Sequence, residues 1–331
     1  MLLLNILSSS IILWLLILHQ TDIVVYCKMI VTNGTPKQYS PPTSLSMSWE
    51  DCLDYCMQEE TCMVVSTDGP TGCQVFGIGM LQSVERSDLG NEKVGFKTID
   101  SDDDTSFCPI DDTQDGRGYY FGTNETSGRQ VYNGYTFTFD PINHVWNFNS
   151  TGITMCQNSR WKMFVRPAGA WCMVFVFGGC YNRTDAANSC TSLLKGSLSG
   201  LESREEFEFV QRRANDIDWF NATATQNISY GSWVDGVRRP ECVGNPSCKG
   251  INAFSFSDPT LSENPSGYAW ERNEPKGTGQ DCLAFRANPV EGTGGIVSTP
   301  CDMPLSADNS TSICGFICGA KASYLSCDFV C

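Results

Sequence analysis

Cysteine is the residue best suited to chemistry in this chain, since 18 of its 331 residues are cysteines. In a reducing compartment such a density indicates metal sites, whereas in an oxidising one it indicates a framework of disulfide bonds. The apolar run from Met1 to Leu18 is typical of a signal peptide, although the usual basic start is missing. A retained signal anchor is the alternative, because about 20 apolar residues can just span a bilayer. We expect residues 1–27 to be a signal peptide and the mature, disulfide-bonded protein to be secreted, with no membrane insertion.

Asparagine glycosylation signals agree with export. The chain contains seven Asn-x-Ser/Thr triplets, and each one that is used must lie on the surface. The acceptor residues are Asn33, Asn124, Asn149, Asn182, Asn221, Asn227 and Asn309.

Acid–base catalysis and nucleic-acid binding are both disfavoured. The chain holds two histidines, His19 and His144, and His19 lies in the expected signal peptide, so one imidazole remains. The formal net charge of -15 repels DNA, RNA and anionic membrane surfaces. The sequence has no nucleophile elbow, phosphate-binding loop or His–Glu zinc motif. We therefore expect neither an enzyme nor a nucleic-acid partner.

Residues 28–99 contain the elements that position the first four cysteines. The stretch Ser46–Cys56 predicts a helix whose N-cap is Ser48. Two apolar runs, Cys62–Ser66 and Gly72–Phe76, flank turn residues and predict a hairpin. Cysteines one helical turn apart share a face and can bond to this hairpin, in one of three connectivities. The pairing we predict is Cys52–Cys73 with Cys56–Cys62.

The spacing of these residues resembles a known module. The matching residues are Met29, Gly34–Pro36, Trp49–Cys56, Cys62, Cys73, Phe76 and Val94–Lys97. Together they resemble the PAN-like (CW) domain of nematode secreted proteins. The resemblance implies a small apple-like fold of one helix on a sheet, over residues 28–99, with a binding role.

Residues 100–155 follow as a segment of uncertain fold. Asp100–Asp104 reads as an acidic linker, and Tyr132–Phe148 is rich in aromatic residues. Tyr135–Phe139 alternates like a strand. One interpretation is an additional hairpin packed on the unit that follows.

Residues 156–320 show a second order of elements. A hairpin over Trp161–Phe177 precedes a helix over Asp185–Leu194 and a strand at Leu198–Leu201. Ser203 and Glu206 form a capping box that begins a second helix. A Trp-x-x-Gly strand, a long loop region and cysteine-containing closing strands complete the order. This order resembles a long-form C-type lectin-like domain, so the expected fold class is α+β, with residues 321–331 as a tail containing two cysteines.

The resemblance also implies disulfide pairs in the second unit. The framework pairs are Cys190–Cys318 and Cys282–Cys301. Three further pairs are Cys156–Cys172 in the N-terminal hairpin, Cys242–Cys248 in the loop region and Cys180–Cys314 between terminal strands. Four cysteines receive no partner: Cys27, Cys108, Cys327 and Cys331.

The resemblance further implies a calcium and sugar site, which this chain has changed. In the family, oxygen ligands come from a Glu-Pro-Asn or Gln-Pro-Asp turn, a following Glu, and an Asn-Asp pair before the third framework cysteine. The corresponding residues are Glu274-Pro275-Lys276, Gln280 and Val297-Ser298. Calcium takes about six to eight oxygen ligands, and an ammonium has none to offer. We expect no metal or other cofactor, and interpret Glu274, Gln280 and Ser298 as a degraded calcium site; a shifted site at Asp258, Asp281 and Asp302 has no specific support.

Two interpretations of the candidate ligand-binding residues remain open. Lys276 is either a surface residue paired with Glu274 or a cation that replaces calcium in a metal-free site. Trp270 and Tyr268, like Trp219 and Phe220, either stack on sugar rings or belong to the core.

Two functions follow from these alternatives. The first is an extracellular recognition protein that binds carbohydrate, with glycans or cell-surface glycoproteins as partners. The second is a calcium-independent protein-interaction or structural module that binds no sugar.

Secreted protein should carry oxidised cysteines. Because the apolar leader and the glycosylation triplets indicate export, we expect few of the 18 thiols to react with an alkylating reagent before reduction. Mass spectrometry of protein from culture medium, with and without reductant, measures this. Alkylation of most thiols without reductant would contradict secretion into an oxidising compartment.

Overall fold

A computed structural model describes residues 27–87, 91–99, 115–124, 127–215, 229–277, 279–288, 293–302 and 311–324. The chain divides into two compact units: Met1–Tyr119 with Tyr135–Ser150, and Tyr120–Gly134 with Thr151–Cys331. Residues 1–26 of the expected signal peptide and the acidic linker lie outside the described residues, as do Cys108, Cys327 and Cys331 and the side chain of Cys27. Within the described part of the chain, no helix has the length and apolar character needed to cross a membrane.

The elements follow in chain order, numbered from the N-terminus. As far as Met155 they are β1 Cys27–Pro36, β2 Thr43–Ser46, α1 Trp49–Gln58, β3 Cys62–Thr67, β4 Gly72–Gly77, β5 Ser83–Arg86, β6 Lys93–Ile99, β7 Gly116–Asn124, β8 Arg129–Asp140 and β9 Val145–Met155. After it they are β10 Lys162–Arg166, β11 Gly169–Phe177, α2 Arg183–Leu194, β12 Ser197–Leu198, α3 Arg204–Asn215, β13 Ser229–Arg238, β14 Phe254–Ser255, β15 Cys282–Asn288, β16 Thr293–Thr299, β17 Thr311–Lys321 and β18 Ser323–Tyr324. Short 3-10 turns span Pro240–Cys242 and Gly250–Ala253.

Helix α1 and the strands around it form the first unit. Ser48 caps the helix as predicted, since its side chain accepts a hydrogen bond from the backbone N–H of Asp51 at 3.2 Å. Cys52 and Cys56 are fully buried on the face of the helix that meets the β3–β4 hairpin. The strand order in this sheet is β2-β4-β3-β6-β1-β5-β9-β8-β7.

A buried lysine closes the end of α1. The Lys97 side chain lies on β6 and is only 7% exposed. Its ammonium donates to the carbonyls of Cys56 at 3.0 Å and Glu59 at 2.9 Å. Carbonyls at a helix C-terminus lack partners within the helix and carry partial negative charge, so the cation is well placed.

The aromatic segment that we expected against the second unit supplies the core of the first. Phe137 and Trp146, from β8 and β9, are buried together with Phe96 of β6. The Phe96 ring lies 5.7 Å from Phe137 and 5.1 Å from Trp146, both edge to face. The expectation of an extra hairpin on the second unit is therefore wrong for Tyr135–Ser150, because the alternating rings fill the first unit's interior.

The second unit is built on a sheet with the order β10-β11-β17-β13-β15-β16. Helix α3 packs Phe207, Val210 and Ala214 into its core, as their spacing predicts. The strand expected at Leu198–Leu201 is shorter and ends at Leu198. Gly200 points its N–H at Asp258 and its carbonyl at Arg166 instead of continuing a ladder.

Seven disulfides join described residues. They are Cys52–Cys73, Cys56–Cys62, Cys156–Cys172, Cys180–Cys314, Cys190–Cys318, Cys242–Cys248 and Cys282–Cys301. These are the same seven pairs that the sequence and the two resemblances led us to expect.

A buried arginine connects the start of α3 with the long loop region. Arg166 binds both carboxylate oxygens of Glu206, at 2.8 and 2.7 Å, and one carboxylate oxygen of Asp258 at 2.9 Å. All three side chains are almost wholly shielded from solvent. The capping box therefore forms only in part: Ser203 accepts from the Glu206 N–H, but the Glu206 carboxylate binds Arg166 and the N–H of Glu202.

A second buried carboxylate fixes the same region. Asp235, on β13, accepts hydrogen bonds from the backbone N–H groups of Ser257 at 2.5 Å and Asp258 at 2.7 Å, and pairs with Arg183 at 2.9 Å. Burial raises the pKa of the Asp235 carboxyl, although these hydrogen bonds and Arg183 act in the opposite direction.

Replacing Arg166 should destabilise the second unit far more than breaking a surface pair. Arg166→Met leaves Glu206 and Asp258 buried without their cation, which typically costs about 3–5 kcal/mol. The matched control is Lys162→Met, which removes a solvent-exposed pair with Glu205 worth about 0–1 kcal/mol. Denaturant unfolding of the oxidised protein measures both, and equal losses would contradict the role of the buried pair.

Candidate functional site

The Glu274-Pro275-Lys276 turn lies against strand β16. Its Glu274–Pro275 peptide bond is cis. One carboxylate oxygen of Glu274 accepts from the backbone N–H of Lys276 at 3.0 Å, the N–H of Ser298 at 3.0 Å and the Ser298 hydroxyl at 2.7 Å. The Glu274 side chain is only 3% exposed. The carboxylate that a calcium ion would need is thus already bound by the chain.

The second oxygen of this carboxylate faces a cation. Lys276 Nζ lies 3.6 Å from Glu274 Oε1, and the Lys276 side chain is 50% exposed. At such exposure the pair contributes about 0–1 kcal/mol to stability. The ion pair of the first interpretation is present, and it leaves the ammonium accessible to solvent.

Of the two residues where the family has its Asn-Asp pair, only Ser298 reaches the turn. Its hydroxyl accepts from the Lys276 N–H at 2.8 Å while donating to Glu274. Val297 is buried in the core beside Trp233, Cys282 and Ala284, on the opposite face of β16. A side chain at position 297 therefore points away from the site.

Gln280 enters the site through its backbone. Its carbonyl accepts a hydrogen bond from Arg238 Nη2 at 3.2 Å. Its side-chain Oε1 is buried and has no hydrogen-bond partner among the described residues. The expectation that Gln280 is a ligand-binding residue through its side-chain oxygen stays a prediction.

Arg238 is the residue that sequence reasoning missed. It ends β13, and its guanidinium binds the Lys276 carbonyl, the Gln280 carbonyl and, at 3.0 Å, the Asp281 carboxylate. The sequence signal was the pair Arg238-Arg239 at the end of a core strand. A pattern of two adjacent arginines does not indicate which one turns inward.

The residues present do not fit a calcium ion. Asp281 is paired with Arg238 and Asp258 with Arg166, so two of the three carboxylates considered for a shifted site are neutralised by arginines. Among the described residues, no group of three or more His, Cys, Asp or Glu side chains is placed to hold a metal. Calcium needs several oxygens free to ligate, and here they bind N–H, hydroxyl and guanidinium donors.

The candidate aromatic residues pack on the core. The Tyr268 ring is buried, and its hydroxyl donates to the Asp235 carbonyl at 2.9 Å. Trp270 is half-buried, with its ring 5.9 Å from Phe254 and 6.3 Å from Tyr268. Only Trp270 retains surface that a ligand can reach; Trp219 and Phe220 lie outside the described residues.

Four of the seven glycosylation acceptors are described. Asn33 and Asn149 are exposed, and Asn124 is half-buried. The Asn182 side chain caps helix α2 by accepting from the Asp185 N–H at 2.8 Å. Asn221, Asn227 and Asn309 lie outside the described residues.

Comparison with known families agrees with this architecture. A PAN-like domain model matches residues 29–98, and a model described as C-type lectin domain-containing protein 141/158 matches residues 166–321. No curated protein matches the chain.

Several solved structures are similar to about half of this chain. A calcium-independent type II antifreeze protein shares 18% identity over 51% of this chain and 96% of its own, with a TM-score of 0.32. The herring type II antifreeze protein shares 20% identity over 51% of this chain and 100% of its own, with a TM-score of 0.32. The carbohydrate-recognition domain of the mouse scavenger receptor C-type lectin shares 16% identity over 51% of this chain and 99% of its own, with a TM-score of 0.32.

The first unit thus contains a PAN-like domain and the second a lectin-like domain. The chain carries a PAN-like domain followed by a domain of the C-type lectin family. The α+β fold class and the family order expected from the sequence are confirmed.

Calcium should not stabilise this protein. Because Glu274 is bound by Ser298 and Lys276, we expect no rise in melting temperature at millimolar calcium. Glu274→Gln should lower the melting temperature equally with calcium and with chelator, since it weakens buried hydrogen bonds worth about 1–3 kcal/mol. The control is Glu205→Gln, at a surface pair. A calcium-dependent rise in the wild type that Glu274→Gln abolishes would contradict this reading.

Proposed function

We propose that this is a secreted recognition protein whose lectin-like unit binds carbohydrate without calcium at the Glu274–Lys276 turn. The proposal rests on the contacts of Glu274 and Lys276. The Glu274 carboxylate accepts a hydrogen bond from the Ser298 hydroxyl, while the adjacent Lys276 side chain remains half exposed. A site of this kind offers a fixed cation where the family resemblance implies a metal ion. It follows the second of our two interpretations of Lys276.

The donor chemistry of the site indicates the class of sugar. An ammonium has three donors and no acceptor, so it recognises oxygen acceptors. Charge-assisted hydrogen bonds to anionic oxygens are about twice as strong as neutral ones. Carboxylated or sulfated glycans are therefore the favoured ligands, carried by free glycans or by cell-surface glycoproteins. The half-buried ring of Trp270 is the candidate surface for stacking against a sugar.

Secretion and glycosylation belong to the same proposal. The seven disulfides require an oxidising compartment to persist. The exposed amides of Asn33 and Asn149 are accessible to a glycan, whereas the Asn182 side chain is engaged at the start of α2. We expect Asn33 and Asn149 to be occupied in the secreted protein.

A protein-interaction module that binds no sugar is the alternative. The same observation favours it, because a saturated carboxylate cannot coordinate two vicinal sugar hydroxyls through a shared ion. In that case the lectin-like unit serves as a scaffold, and its ligand is a protein surface.

A glycan array separates the two functions. The secreted wild type is applied in calcium and in chelator, beside Lys276→Gln and the control Lys249→Gln, which changes another exposed lysine. We expect chelator-resistant binding to anionic glycans that falls about tenfold or more in Lys276→Gln, because a charged hydrogen bond is lost, and is unchanged in Lys249→Gln.

Two results count against carbohydrate binding without calcium. Binding that disappears in chelator would show a metal-dependent site. An array without any bound glycan, obtained with folded and oxidised protein, would favour the protein-interaction alternative.

A further inference from the structure

Three oxygens of the segment 271–281 converge on one guanidinium. Arg238 Nη2 donates to the carbonyl of Lys276 and, at 3.2 Å, to that of Gln280. Arg238 Nε donates to the carboxylate of Asp281 at 3.0 Å. The backbone N–H of Arg238 also donates to the Asp281 carbonyl, at 2.7 Å. One side chain thus binds both ends of the stretch from Lys276 to Asp281.

The guanidinium is held in place by its surroundings. The Arg238 side chain is only 4% exposed, and its charged end lies 4.8 Å from the centre of the Phe254 ring. Stacking on an aromatic ring and binding oxygens through a planar fork are both specific to arginine. Because Asp281 provides the opposite charge, the buried cation is compensated.

Carbonyl and carboxylate oxygens that converge in this way are the ligand type of a hard cation. Here the positive charge is covalently attached to β13. A dication placed among the same oxygens would lie within contact range of the guanidinium, and the two positive charges would repel each other. The Arg238 guanidinium therefore takes the place that a metal cation would have among these oxygens.

We infer that Arg238 is the positioning residue that fixes Lys276, Gln280 and Asp281 in this loop, and that these residues keep their places without a divalent ion. The inference goes beyond the proposed function, because it concerns the order of the loop and holds whether or not the loop binds sugar. Its test accordingly needs no glycan.

A trypsin site inside the loop can be used to measure how often the loop opens. Lys276 is followed by Gly277, so trypsin cleaves the Lys276–Gly277 bond when the segment opens. Cleavage after Arg286, in β15 of the same unit, reports unfolding of the whole unit. Mass spectrometry of timed digests of the secreted, oxidised chain gives the two rates separately, in calcium and in chelator.

The variants are Arg238→Met and its neighbour Arg239→Met as the matched control. Arg239 is exposed, and its side chain donates a hydrogen bond to the Phe254 carbonyl at 2.9 Å. We expect Arg238→Met to raise the rate at Lys276–Gly277 by about tenfold or more, with cleavage after Arg286 unchanged, because opening becomes a local event. Arg239→Met should stay within about twofold of the wild type.

Either of two results overturns the inference. One is an Arg238→Met rate equal to that of Arg239→Met, and the other is faster loop cleavage of the wild type in chelator. If Arg238→Met is not secreted, Arg238→Lys decides, since it keeps the charge but not the planar fork. An intermediate loop rate in Arg238→Lys supports the inference, and a wild-type rate overturns it.

Discussion

The pairing of Arg166 with Glu206 and Asp258 is the constraint on which the lectin-like unit depends. It joins β10 to the start of α3 and to the loop region that leads towards the candidate site. A buried ion pair adds little net stability compared with apolar packing, but it is costly to break. Here it ties these three segments together through charges that compensate one another. Asp235 acts on the same region by accepting from the backbone of Ser257 and Asp258.

A second buried arginine holds the loop of the candidate site. Arg238 binds carbonyl and carboxylate oxygens there, as Arg166 binds two carboxylates in the core. In both places a planar guanidinium binds its acceptors through a rigid fork of N–H donors, which a compact ammonium does not have. The lectin-like unit is thus organised from within by arginines. The Lys276 side chain, in contrast, is half exposed beside Glu274.

Local chemistry made much of the fold predictable. The N-cap of α1 depends on Ser48 and Asp51 alone, and the apolar stripe of α3 depends only on helical spacing. The changed calcium turn was also visible, because Lys276 cannot offer an oxygen from its side chain.

The rest depends on contacts between residues far apart in the chain. Lys97 binds carbonyls at the end of α1, some 40 residues earlier, and nothing in its neighbours indicates this. The Glu206 carboxylate binds Arg166 and not the backbone N–H of Ser203 that a capping box predicts. A charge-assisted hydrogen bond to a guanidinium is stronger than one to a backbone N–H. Arg238 was missed because the face on which a strand residue lies is set by register, which sequence spacing does not fix.

We infer that Arg238 supplies the cation of the loop at the candidate site. The most direct test is a crystal structure of the secreted protein grown in millimolar calcium. We expect the Arg238 guanidinium to lie between the carbonyls of Lys276 and Gln280, Glu274 to be bound to Ser298, and no ion to occupy the turn. A calcium ion coordinated by Glu274, with Arg238 displaced from these oxygens, would contradict it.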